Sequence, residues 1–536
     1  MGQSHSGPSG SQPQSEVESL AASLGFLPML DRAFDALSED STKTIHATSL
    51  QQCFSIRCGK PSAGAAGWPG LAASLEGLLY HVGPSVVDAF FVLEKDGFSK
   101  QGFIGGFVAC CGRMNASIKL GNFLRVFALA GKKAGISLDL NFEDVDGDWK
   151  ATGNLRPADV VLLLYACWSM LWSAMRRELS VKEAMFLPDI RNLVLSAVVS
   201  CCEVPGSLDL WNCDVIDLEV VLPVGKFLSW VLASVPSLPD CFSQFIHQCV
   251  LIIINSAVVE DTTEPLDSSS ITGPDAHLLT PGMAWAIFLS RGMTSTVEAL
   301  LRHCFIKQRD ETTGNLLYRS SRHGKGLNRF WSNVEGYNGP MLILISGSSE
   351  DSDSRKNKWI IGALIQHGFE NRNHFYGSSA TLYALEPVFQ AFSPSGKEKN
   401  FMYSHLHPTA RMYEPKPKPV GIAFGGTLGN ERVFLDEDFS RITIRHHAGD
   451  KTYQPGPLIP NQGFLAVDGS ILEVEAWGLG GSSSKESQTS YKKREQLFTE
   501  QRRRVDLKTF ANWEDSPENM MMGMLSDPNR VQREDR

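Results

Sequence analysis

The chain has 536 residues, a formal net charge of -9 and 43% hydrophobic residues, enough apolar sequence for two cores. That acidic balance argues against a broad nucleic-acid-binding surface, which needs clustered Lys and Arg to replace phosphate counterions. All eleven cysteines lie between Cys53 and Cys304, an odd number without CxxC spacing, so neither a disulfide framework nor a cysteine metal site is indicated and a reducing compartment is expected.

The chain opens on MGQSHS, which fits the M-G-x-x-x-[ST] myristoylation pattern and makes Gly2 a lipidation candidate, a chance match in a polar start being the alternative. Residues 1–16 read as a flexible arm. One myristoyl chain holds a membrane only marginally, so a second signal is required. Residues 17–259 have helical spacing, as in Leu27–Leu37 and Val86–Glu94. Two apolar stretches, Val160–Met175 and Cys241–Val259, read as core helices. The first is short for a membrane span, and the second carries Gln244, His247, Gln248 and Asn255.

Within this helical part, Asp148–Asp159 (DWKATGNLRPAD) resembles an EF-hand loop, with Gly153 at the sixth position and Asp148, Thr152 and Asp159 at ligand positions. Lys150 at the third position and Arg156 at the ninth would repel a bound dication, so a scaffold that has lost calcium is the favoured reading. Starting instead at Asp144 puts Leu155 where the bidentate Glu belongs, and the loop Ser38–Ser49 has only Asp40 as a carboxylate at a ligand position. Residues 260–277, dense in Pro, Ser, Thr and acid, read as a linker.

Helices at Trp285–Leu289 and Val297–Ile306 lead into a strand-rich stretch, 278–481. Pro340–Ile345, Trp359–Gln366 and Ala380–Leu385 are nearly continuous apolar runs, which predicts strands covered on both faces. Arg441–Arg445 and Leu472–Trp477 alternate instead, which buries Ile442 and Ile444, and Leu472, Val474 and Ala476, leaving Glu473 and Glu475 outward. The turns between them predict an antiparallel sandwich with peripheral helices, and the whole chain an α+β protein with an all-α N-terminal region.

LLYRSSRHG with Leu327 and Phe330, then GYNGPMLILI, WIIGALIQHGF, FYGSSATLYAL, GIAFGGTLGNERVFLDEDF and ILEVEAWGLGG resemble, in that order, the TLDc domain over about Leu278 to Gly481. With Gly2, an EF-hand-like helical part and a tail after the domain, the architecture is similar to the myristoylated, lysosome-associated TLDc subgroup linked to mTOR signalling. The resemblance implies a β-sandwich with helices, oxidative-stress protection and binding to the vacuolar-type proton ATPase.

Catalytic chemistry has little support. His323 sits in a turn and reads as structural; His405 with His407, and His446 with His447, lack a Cys or spaced carboxylate to complete a metal set. Gly425–Asn430 lacks the Lys of a phosphate loop and reads as a hairpin. Asp436, Glu437 and Asp438 form an acidic stretch, either a negative docking surface or a plain solvated face. In the tail, 482–536, a helix is expected at about 487–510, with Tyr491, Phe498 and Val505 every seven residues among Lys492, Lys493, Arg494 and Arg502 to Arg504. It docks into a partner groove, reinforces a lipid at an anionic membrane, or serves as a nuclear-import patch, in that order.

The expectation is a non-enzymatic adaptor without cofactor, cytoplasmic and peripheral on an endomembrane of the vacuole or lysosome, with the nucleus as alternative. Its partners are vacuolar-type ATPase subunits and a membrane surface reached through the myristoyl group. A calcium-responsive binder and an enzyme of oxidative-stress defence are the competing readings. No cysteine lies between Leu316 and Trp477, which excludes thiol peroxidase chemistry on those strands.

Overall fold

The computed structural model describes residues 16–513 apart from 40–41, 57–67, 95–96, 146–147, 179–184, 203–208, 256–276, 306–314, 351–355 and 407–416. Gly2 and the greater part of the linker therefore lie outside the described residues. The helical region contains α1 (Glu16–Ser23), α2 (Leu27–Leu37), α3 (Ala47–Cys53), α4 (Pro69–Tyr80), α5 (Val82–Phe90), α6 (Lys100–Cys111) and α7 (Ala116–Lys133). A small sheet, β1 (Asp139–Val145), β2 (Asp148–Leu155) and β3 (Leu222–Pro223), is interleaved with α8 (Pro157–Glu178), α9 (Arg191–Cys201), α10 (Val224–Ser234) and α11 (Asp240–Asn255). The helices α12 (Pro281–Arg291) and α13 (Ser295–Phe305) follow. The apolar stretch of α8 is 94% buried inside the protein, as expected of a core helix, and α11 buries Phe242, Phe245 and Ile246. None of the described cysteines is joined in a disulfide.

The proposed ion loop at Asp148–Asp159 is not a loop. Asp148–Leu155 is β2, in register against β1 with Asp148 opposite Val145 and Thr152 opposite Asn141, and an extended strand cannot wrap ligands round an ion. Gly153 answers a different need: at φ +112 its absent Cβ would lie 2.2 Å from the Asp139 carbonyl oxygen. Asp159, also offered as a calcium ligand, caps α8. Its carboxylate accepts the Arg156 backbone N–H at 2.9 Å and is gripped by the Arg156 guanidinium at 3.0 and 2.9 Å. A different pair of helix–loop–helix units exists, α2–α3 and α5–α6. Their loops are tied by reciprocal Ile45–Phe98 backbone bonds of 3.0 and 2.9 Å.

The sheet region contains β4 (Leu316–Arg319), α14 (Ser320–His323), α15 (Leu327–Val334), β5 (Met341–Glu350), β6 (Lys356–Ile365), β7 (Arg372–Tyr376), β8 (Ala380–Glu386) and β9 (Gln390–Phe392). It continues with β10 (Met402–His405), β11 (Gly421–Thr427), β12 (Asn430–Leu435), β13 (Arg441–Ile444), β14 (Val467–Gly478) and α16 (Gly481–Trp513). One antiparallel sheet runs β7-β10-β11-β12-β13-β14-β5-β6-β8-β9, with β4 also on β14. It curls over a core of its own, containing Ile343, Ile345, Ile361, Phe424, Val433 and Ile442. Gly425–Asn430 forms the expected hairpin, Thr427 pairing with Asn430 across a two-residue turn.

The double coverage of the apolar strands has a definite source. Strand alternation sends Met341, Ile343 and Ile345 into the sheet's own core, whereas Leu342, Leu344, Ile360, Leu364, Tyr383 and Leu385 join the core of the helical region. Polar bonds cross the same junction: Asn192 Nδ2 donates to the Leu385 carbonyl at 2.9 Å, and Arg291 Nη1 to Thr381 Oγ1 at 2.6 Å. Trp285 on α12 packs edge-on against Trp168 on α8 at 5.4 Å, so α12 belongs to the shared core.

The last strand departs from its simple alternation. A register shift between Ile471 and Glu473 changes the parity, so Leu472, expected inside, is 44% exposed while Ile471 is buried. Val474 and Ala476 are buried as expected, but Glu475, expected outside, is fully buried. Its carboxylate accepts the Leu278 and Leu279 backbone N–H groups at 3.0 and 3.4 Å and the Trp477 indole N–H at 2.9 Å. A buried carboxylate thus pins the chain to the sheet where it returns from the linker.

Candidate partner-binding site

The tail helix starts earlier than its sequence pattern announces, directly after β14, and continues to Trp513. At about 1.5 Å per residue its 33 residues span about 50 Å. Its root is docked. The last carbonyls of α15 have no partner within their own helix, and α16 supplies donors. Gln488 Nε2 reaches the Asn333 carbonyl at 2.7 Å, Lys492 Nζ the same oxygen at 3.3 Å, and Tyr491 Oη the Glu335 carboxylate at 2.8 Å. Cations suit the negative end of a helix, and burial lowers the Lys492 pKa against the pull of Glu335. Gly336, at φ +79, makes the approach possible: a Cβ there would stand 2.6 Å from the Tyr491 ring.

Past Lys492 the helix leaves the body, and every side chain from Lys493 to Arg504 is exposed. Leu497 is 59% and Phe498 52% exposed, with the Arg502 guanidinium 4.8 Å over the Phe498 ring. The three residues of the seven-residue stripe therefore differ in role. Tyr491, offered as a partner contact, is engaged within the chain; Phe498 stands free of the body; the Val505 side chain lies outside the described residues. Leu497, which the stripe omitted, joins Phe498. Where root meets body, a groove of about 860 Å³ is lined by Trp331, Phe369, Leu406, Ser487, Tyr491 and Arg494.

The acidic stretch after β12 does not form a three-carboxylate surface. Asp436 closes its own turn, accepting the Ser440 N–H at 2.8 Å, the Ser440 hydroxyl at 2.7 Å and the Arg441 N–H at 3.1 Å. Glu437 is half-buried, and its carbonyl accepts the Leu327 N–H at 2.7 Å. Of the three, Asp438 is the one exposed to solvent.

The histidines weighed for catalysis or metal binding make other contacts. His323 Nδ1 accepts the Arg319 N–H at 2.9 Å and the ring stacks on Tyr318 at 5.8 Å, while burial and then Arg322 lower its pKa. His446 stacks on Phe464 at 4.8 Å, and His447 Nδ1 lies 4.0 Å from Asp450. His407 lies outside the described residues. Among the described residues, no three His, Cys, Asp or Glu side chains are grouped to hold a metal ion.

Glu473 is also not an outward carboxylate. It accepts the Ser320 hydroxyl and, at 2.8 Å, the Ser321 N–H. Burial pushes its pKa up, but the Ser320 and Ser321 donors with Arg319 outweigh it and hold the carboxyl below the usual range. A depressed carboxylate stabilises the fold above its unfolded-state pKa and loses that contribution as pH falls through its folded value. Glu473→Gln is therefore expected to cost about 1–3 kcal/mol near neutrality. Urea titrations at descending pH should show the gap to the parent closing; a gap independent of pH contradicts the assignment.

The fold and this site define a class: a mixed helix-and-sheet protein whose described surface offers a projecting helix. Residues 290–480 match the family model of the TLDc domain, so the chain carries a TLDc domain over that stretch. No curated protein matches the chain.

Proposed function

We propose that this chain is a non-enzymatic TLDc-family regulatory protein that holds a protein partner with the free half of α16 and the adjoining face of its TLDc domain. The observation that carries the reading is the overhang: a helix rooted on α15 that continues beyond the body with Leu497 and Phe498 exposed. A helix without a core to cover is marginal alone, and a partner's groove supplies the missing apolar face. The TLDc resemblance directs the search to vacuolar-type proton ATPase subunits or a related endomembrane assembly, with a role in oxidative-stress tolerance or growth signalling. Arg502, Arg503 and Arg504, all exposed, also favour a second reading, in which the arm meets an anionic membrane together with a myristoyl group on Gly2.

The test is recovery of partners from a membrane extract by the intact chain and by a chain ending at Lys492, which keeps the root hydrogen bonds of Gln488, Tyr491 and Lys492. ATPase subunits should be recovered with the intact chain and lost with the shorter one. Equal recovery contradicts the arm's role. Loss of vesicle binding without loss of protein partners selects the membrane reading.

A further inference from the structure

In the described part of each loop, the helix–loop–helix pair α2–α3 and α5–α6 is tied by its own chain. In the first loop, Glu39 and Thr44 are joined by a 3.2 Å backbone bond, Lys43 N donates to the Glu39 carbonyl at 2.9 Å, and Lys43 itself takes φ +51. In the second, Glu94 and Gly97 exchange backbone bonds of 3.0 and 3.4 Å, and the Glu94 carboxylate accepts the Ser99 hydroxyl at 2.6 Å. Ser99 in turn caps α6 through the Gly102 N–H at 3.3 Å. Across the pair, Lys100 on α6 meets Asp31 on α2 at 2.8 Å, placing a lysine ammonium against a carboxylate. Calcium needs six to eight converging oxygens, and two nearby carboxylates are already engaged, Glu94 by a hydroxyl and Asp31 by an ammonium.

The face such a pair offers to a target helix is also filled, by α11. The Phe26 and Phe107 rings lie 5.8 and 6.4 Å from His247, and Phe90 lies 6.1 Å from Phe242. Ser243 is bound from both sides: its hydroxyl donates to the Cys110 carbonyl at 3.0 Å, and its carbonyl accepts the Cys111 thiol at 3.4 Å. Cys241, Phe242, Phe245, Ile246, Cys249 and Val250 are buried, the i, i+1, i+4, i+5, i+8, i+9 pattern of a helix with one covered face. Lys119 on α7 fixes its first turn through Asp240 at 3.0 Å.

We infer that this pair is an ion-independent helix clamp whose resident ligand is the chain's own α11. The clamp holds α11 at Phe242, Ser243 and His247. It is independent of what α16 binds.

Hydrogen exchange of the full chain, in calcium and in EGTA, tests the clamp. The amides of α11 should exchange as slowly as those of α6, and both should be unchanged by the ion. Phe107→Ala should speed exchange in α11 and α6 together and leave β5 and β6 unaffected. Protection of α11 that rises about tenfold or more in calcium, equivalent to about 1.4 kcal/mol, overturns the proposal. So does exchange of α11 about tenfold faster than α6 in the unaltered chain.

Discussion

Replacing Arg432 by Ala is expected to lower the stability of the sheet region by about 3–5 kcal/mol, because it strands a carboxylate in the core. Arg432 is fully buried on β12. Its guanidinium donates to Asp450 at 2.8 Å and to the Gln454 and Gly456 carbonyls at 2.7 Å each, and lies 4.4 Å over the Phe392 ring. Burial lowers its pKa, and the adjacent Asp450 opposes that shift, so the two charges are mutually dependent. Asp450 also accepts the Thr452 and Tyr453 N–H groups, organising the loop after β13. Arg432→Met with Asp450→Asn removes both charges and keeps the stem, and should recover part of the loss. Denaturant titration of both variants against the parent decides it; a cost below about 1 kcal/mol for the alanine variant means that water has replaced the missing donor.

The second large effect concerns the TLDc domain taken alone. A chain of residues 278–513 would expose Leu342, Leu344, Ile360, Leu364, Tyr383, Leu385, Phe389 and Trp477 wherever the helical region now covers them. At about 1.5–3 kcal/mol for each fully buried large side chain, the loss is of the order of a whole domain's stability. The expected result is an aggregating or dye-binding species on size exclusion, restored to a monomer when the helical region is present. A monomeric fragment melting like the intact chain contradicts the shared core.

Much of this fold was legible because apolar periodicity reports burial directly. The continuous run Met341–Ile345 announced two covered faces, and Ile442 and Ile444 are buried as their alternation requires. What covers the second face was not legible, since a pattern states that a side chain is buried without naming its neighbour. The errors have local causes. One register shift in β14 exchanged the places of Leu472 and Ile471, and the buried Glu475 pays for its desolvation with three N–H donors, two of them on Leu278 and Leu279, nearly two hundred residues away in sequence. Gly153 was read as the sharp turn of an ion loop, whereas it relieves a backbone contact in a strand. Arg432 gave no signal, because a charged residue beside a turn looks solvated until the loop 446–456 closes over it.

At the candidate site the helix itself was visible from its seven-residue stripe, but the boundary between docked and free halves was not. That boundary depends on where α15 ends, and hence on the carbonyls of Asn333 and Glu335 that receive Gln488. Residues of one stripe are equivalent on an isolated helix; the body makes Tyr491 a root and leaves Phe498 as the first free anchor.

The most direct test of the central claim alters only that free half. In the full chain, Leu497→Asp with Phe498→Asp should leave thermal unfolding unchanged, because both side chains stand off the body. Affinity for the partner recovered from membranes should fall by about a hundredfold, the equivalent of losing about 2.7 kcal/mol at a buried apolar anchor. Binding unchanged by the double substitution, with the helix still formed by circular dichroism, would contradict the assignment of α16 as the partner-holding arm.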